Sequence, residues 1–68
     1  MATIGERAAE AHGRIKANVD AWYEDRITHA QFSENQRALW DEIAKDAELH
    51  EAVSARMLGE LRAARAAA

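Results

Sequence analysis

Cysteine and proline are both missing from this 68-residue chain, glycine occurs three times, and the aromatic residues are two Trp, one Tyr and one Phe. Without cysteine there is no disulfide framework and no thiolate metal site. Without proline, and with so little glycine, little in the chain interrupts long helices. No run of apolar residues approaches the ~20 needed to cross a bilayer. Met1 to Glu10 lacks the apolar stretch of a secretory signal, so a cytoplasmic location is the expectation. Positive charge is also short. Nine Lys and Arg against twelve Asp and Glu leave a net charge of −3 and a pI near 5.5. Nucleic-acid-binding domains usually lean the other way.

Large apolar side chains are scarce as well. The hydrophobic fraction is 49%, but 17 of those 33 residues are alanine. This length allows one domain, and a domain under ~70–80 residues rarely gains more than ~3–5 kcal/mol from a single core. With no disulfide and no metal cluster to help, association with itself or with a partner is the remaining way to bury more surface.

What the chain has is alanine, Glu and Arg with few β-branched residues, a composition that favours helix almost throughout. The first helix is expected over about 3–25. Thr3 and Glu6 have capping-box spacing, and Ile4, Ala8, Ala11, Ile15, Val19 and Trp22 fall on one stripe at ~100° per residue. Gly13 is a weak point inside it. Thr28 and Gln31 form a second capping box, and Ile27 and Phe32 stand at the positions of a hydrophobic staple. The second helix is therefore expected over 29–45, with Phe32, Leu39, Ile43 and Ala47 on its stripe and Trp40 beside it.

Continuing that stripe would place apolar residues near 46, 50 and 54, which are Asp46, His50 and Ser54. The apolar residues fall instead at Leu49, Val53, Met57 and Leu61. This change of phase predicts a turn near Lys45 to Ala47, with Asp46 as N-cap and Glu48 in the first turn, and a third helix over 47–65. One kinked helix from 29 to about 65 is the competing reading. The fold class is all-α: a three-helix bundle or a helical hairpin with a third helix, assembling as a homodimer. Helices one and two run antiparallel, and the third packs across them or extends away.

Chemistry-bearing residues are sparse. Asp46 and His50 share a helix face, but a zinc site needs three or four ligands and HExxH is absent. His12, His29 and His50 read as solvated or capping side chains. Ser33 and Ser54 lack a GxSxG setting, and no glycine-rich phosphate loop is present. No cofactor, metal or small-molecule substrate is expected, and the chain reads as a non-enzyme. Asp41, Glu42, Asp46, Glu48 and Glu51 form an acidic run relieved by Lys45. It is either a solvated face or a docking surface for a basic partner. Arg56, Arg62 and Arg65 suit a DNA-recognition helix, but the N-terminal half of that helix, which would enter the groove, carries Glu48 and Glu51.

Trp22, Tyr23, Phe32 and Trp40 are expected around the first turn. Trp22 and Phe32 lie on stripes and read as core. Tyr23 and Trp40 lie off theirs, and such residues are enriched at interface hot spots. Leu58 points away from the third stripe. Tyr23, Trp40 and Leu58 are thus the apolar candidates for partner binding, and Asp41, Glu42, Asp46, Glu48 and Glu51 the charged ones.

Residues 22–40 carry Ile27-Thr28, Gln31-Phe32, Arg37 and Leu39 in an order that resembles the SHOCT-like short helical hairpin. The sequence departs from that pattern at Arg26, where Gly is usual, at Gln31 in place of Glu, and at Trp40 in place of a second Leu. The resemblance covers 19 of the 68 residues and lies in mid-chain. It implies an interaction or oligomerisation module. The small size and Ala/Arg/Glu-rich style also resemble phage or plasmid accessory proteins. Three functions follow as expectations. The first is a protein-binding or oligomerisation module. The second is a phage- or plasmid-type inhibitor offering its acidic run to a nucleic-acid-binding target. The third is a small DNA-binding regulator.

Overall fold

The computed structural model describes residues 1–67. Among them are three helices, α1 (Ile4–Tyr23), α2 (His29–Ala44) and α3 (Ala47–Ala67), and no strand. The all-α class and the break between the second and third helices are as the sequence indicates. The bounds differ by a residue or two: α1 is shorter than 3–25 at both ends, α2 ends one residue before 45, and α3 runs on past 65.

Each boundary has a local cause. Thr3 Oγ1 accepts from the Glu6 amide at 3.1 Å, and Glu6 Oε1 accepts from the Thr3 amide at 3.2 Å. Thr28 and Gln31 repeat this reciprocal pair at 3.1 and 2.9 Å, so both capping boxes form. α1 stops two residues early because Asp25 takes the left-handed conformation, at φ 57°. The amide of Arg26 then reaches the Ala21 carbonyl at 2.8 Å and that of Asp25 reaches Trp22 at 3.1 Å. These are the two bonds of a Schellman ending, built here on Asp where Gly is the usual residue.

Asp46 makes the second corner. Its Oδ1 accepts from the amides of Glu48 at 3.1 Å and Leu49 at 3.2 Å, capping α3. Its Oδ2 accepts from Arg7 Nη1 at 3.2 Å, tying the corner to the start of α1. The Leu49 amide, first, and the Arg7 guanidinium, after it, hold the Asp46 carboxyl below the ordinary carboxylate range.

Contacts fix the path. Trp22 of α1 stacks on Phe32 of α2, while Asn18, one turn earlier in α1, bonds Gln36, one turn later in α2, so these helices run antiparallel. Arg7 meets Asp46, and Lys16 meets Glu60, so α1 and α3 run the same way. The result is an up-down-up arrangement with extents of 33 × 33 × 18 Å. Ala8 and Ile15 of α1, Ile43 of α2, and Leu49 and Val53 of α3 form the buried core.

Several expectations about the core need correction. Trp22 and Phe32, read as core, are half-buried and lie outside the central cluster. Leu61, on the expected third stripe, is 67% exposed. The core ends at Met57, which is half-buried, because the last side chains of α1 that bond α3 are His12 and Lys16, both at Glu60. Ala47, assigned to the second stripe, is the exposed first residue of α3. Trp40 is not in the aromatic group at the first corner. Trp22 stacks on Phe32 there, with centroids 4.4 Å apart, and Tyr23 and His29 stand near Trp22 at 5.4 and 5.5 Å. Trp40 sits instead at the second corner, edge-on to His50 at 5.7 Å.

Candidate functional site

The first half of α3 supplies Leu49 and Val53 to the core, and the second half runs out beside it. Its tie to α1 is electrostatic. Lys16 Nζ donates to Glu60 Oε1 at 3.0 Å, and His12 Nε2 lies 2.9 Å from Glu60 Oε2. The hydrogen bond from Lys16, and then its charge, hold the Glu60 carboxyl below its usual range, and Glu60 raises Lys16 in turn. On either side of this tie Leu58 and Leu61 are 48% and 67% exposed. A shallow depression of about 200 Å³ beside Leu61 is lined by His12, Met57, Glu60 and Ala64. This is the largest group of exposed large apolar side chains on one element among the described residues.

The expected partner-binding residues are distributed over three places. Tyr23 is 77% exposed at the first corner. Trp40 is half-buried against the core at the second corner, with His50 beside it. Leu58 lies on the outer side of α3. Of the acidic run, Asp41, Glu48 and Glu51 are exposed and lie outside the ion pairs of the described residues. Glu42 pairs with Lys45 at 3.0 Å, and Asp46 is engaged as cap and tether. The structure therefore brings Leu58 together with Leu61, which the periodicity had assigned to the core, and not with Tyr23 or Trp40. No count of residues finds Leu61 free, since α1 runs seven residues past Lys16 and α3 seven past Glu60; Leu61 is exposed because the two helices do not stay packed beyond this pair.

Ligand-holding geometry is limited. Among the described residues no group of three or more His, Cys, Asp or Glu is placed to hold a metal ion. A depression between α1 and the second corner, lined by Arg7, Ala11, Leu39, Ile43 and Leu49, holds about 160 Å³, below the ~300 Å³ of a usual small-molecule site. Two wider grooves, about 540 and 470 Å³, lie open to solvent. The basic groups His12 and Lys16 in the first of these already hold Glu60. No helix among the described residues is long and apolar enough to cross a membrane.

The chain matches no protein-family model, no curated protein and no solved structure.

Proposed function

We propose that this chain is a small, non-enzymatic protein-interaction module that binds through the outer side of the second half of α3. One observation carries the reading. Leu58 and Leu61 are exposed on a half-helix that the core does not need, since Ala8, Ile15, Ile43, Leu49 and Val53 close without them. Paired exposed leucines on a rigid helix are the kind of anchors that a partner surface desolvates. The interaction role implied by the SHOCT-like resemblance agrees with this reading.

Photo-crosslinking from single positions tests it. A photoreactive residue at Ala55 or Arg62, flanking Leu58, is expected to give protein adducts that disappear when Leu58→Glu is added. The same residue at Glu34 on α2 is expected to give none. Absence of adducts from 55 and 62, or adducts that persist with Leu58→Glu, would overturn the proposal.

A second reading rests on Asp41, Glu48 and Glu51, exposed and outside the ion pairs of the described residues. It is an accessory protein of phage or plasmid type that offers this face to a basic, nucleic-acid-binding target. Adducts from position 48 that fade between low and physiological salt would favour it over the α3 surface.

A further inference from the structure

We infer that the outer side of α3 is a self-complementary seam, and that its occupant is α3 of a second copy, docked antiparallel about Leu58. The inference rests on the interaction-module reading and names the partner of that surface.

The seam is visible in the spacing. Glu51, Ser54, Leu58, Leu61 and Arg65 follow one another at steps of three, four, three and four, the spacing of a helix-on-helix seam, with Leu58 and Leu61 as its apolar centre and opposite charges at its ends. At ~100° per residue Glu51 and Arg65 lie within ~20° of Leu58, one on each side, while Leu49 and Val53 lie ~140–180° away, facing the core. A second helix placed on this seam therefore leaves both copies of α1 and α2 on the outside of the pair.

The pattern also specifies orientation. Glu51 and Arg65 stand seven residues before and seven after Leu58, with opposite charges. A two-fold axis at Leu58 places each Glu51 opposite the Arg65 of the other copy, and Leu58 against Leu58. It sets the small Ser54 near Leu61 of the other copy. An isologous contact requires this kind of reciprocity, in which residue i meets j and j meets i. A parallel pair would instead oppose Glu51 to Glu51 and Arg65 to Arg65. Neither charge takes part in an ion pair within the described residues, so both are free to pair across the axis. The contact spans ~21 Å of helix. A two-helix seam of that length falls below the standard interface size, so the dimer is expected to dissociate on dilution.

Sedimentation from about 10 μM to about 1 mM tests this directly. Wild type is expected to pass from monomer to dimer. Glu51→Arg and Arg65→Glu each convert two attractive pairs into repulsive ones and should weaken the dimer about tenfold or more. An equimolar mixture of the two variants should form a heterodimer tighter than either homodimer, and the double variant should recover wild-type behaviour. All these positions are exposed, and circular dichroism checks that each variant keeps its helices. A wild-type chain that stays monomeric to the highest concentration overturns the seam. So does a dimer indifferent to the charge variants, or a mixture with no heterodimer. If the chain is monomeric but Leu58-dependent adducts form with a different protein, the seam fails and the interaction module stands. If it dimerises through a surface that Leu58→Glu leaves intact, and no Leu58-dependent adduct forms, both fail.

Discussion

The side-chain amide of Asn18 donates to the Phe32 carbonyl at 3.1 Å and to Gln36 Oε1 at 3.0 Å, and its oxygen accepts from Asn35 Nδ2 at 3.0 Å. All three bonds cross from α1 to α2, and Asn18 is only 8% exposed. A buried amide with both N–H groups and its oxygen engaged fixes how one helix slides along the other, because a shifted register would strand a polar group at a cost of ~1–3 kcal/mol. Asn18→Ala loses three bonds of roughly 1 kcal/mol each but gains about 0.6 kcal/mol of helix propensity and lets Asn35 and Gln36 return to water. The expected net loss in urea denaturation is about 1–2 kcal/mol. Asn18→Asp should cost more at neutral pH, since a carboxylate would face the Phe32 carbonyl, which cannot turn away. Part of that loss should return as the buffer is acidified and the new carboxyl protonates. A neutral or stabilised Asn18→Ala would mean that the polar seam does not constrain the α1–α2 register.

At the scale of the elements, local chemistry made much of the chain legible. Thr3 with Glu6, Thr28 with Gln31, and the phase jump at Asp46 each act within four residues, and each boundary lies within two residues of where the sequence places it. Asn18 occupies a stripe position between Ile15 and Trp22, yet its polarity hides its burial until Asn35 and Gln36 are brought across from α2. Leu61 shows the reverse: the period is right, but burial depends on how far α1 accompanies α3. The tie at Glu60 controls that half of α3, and its titration has a definite sign. The Glu60 carboxyl is lowered from 4.5, so its contribution is present above that value and is lost as pH falls through its lower folded value. Lys16 is raised from 10.5, so its contribution is complete below 10.5 and is lost as pH rises through the higher folded value. The helical carbon chemical shifts of residues 58–67 should therefore hold a plateau between these limits. On acidification they should move toward coil as Glu60 protonates, a step separate from the loss of the Asp46 cap at 47–49. In Glu60→Gln the first of these steps should be missing. An acid step in residues 58–67 that Glu60→Gln leaves unchanged would show that Glu60 is not the tie.

At the scale of the whole molecule, one helix serves two purposes. Twenty-one residues at ~1.5 Å each make α3 about as long as the 33 Å extent of the protein, while its buried side chains, Leu49 and Val53, lie near one end. The fold therefore needs the first half of α3 and the Glu60 tie, while residues 62–67 are all exposed. Stopping the chain after Leu61 removes the exposed residues 62–67, among them Arg62 and Arg65, which favour the helix dipole. Exposed positions of this kind usually change stability by no more than ~0.5 kcal/mol, and the dipole adds a few tenths. The shortened chain should unfold in urea within about 1 kcal/mol of the full one, with the near-ultraviolet signature of Trp22 and Trp40 unchanged. It should also self-associate more weakly, because Glu51 no longer finds Arg65 across the axis. Leu58→Glu should give the same separation from the other side, with the fold kept and the assembly lost. If shortening after Leu61 unfolds the chain, the second half of α3 belongs to the fold after all. Its exposed leucines would then be the remnant of a poorly closed core and not a surface kept open for a partner.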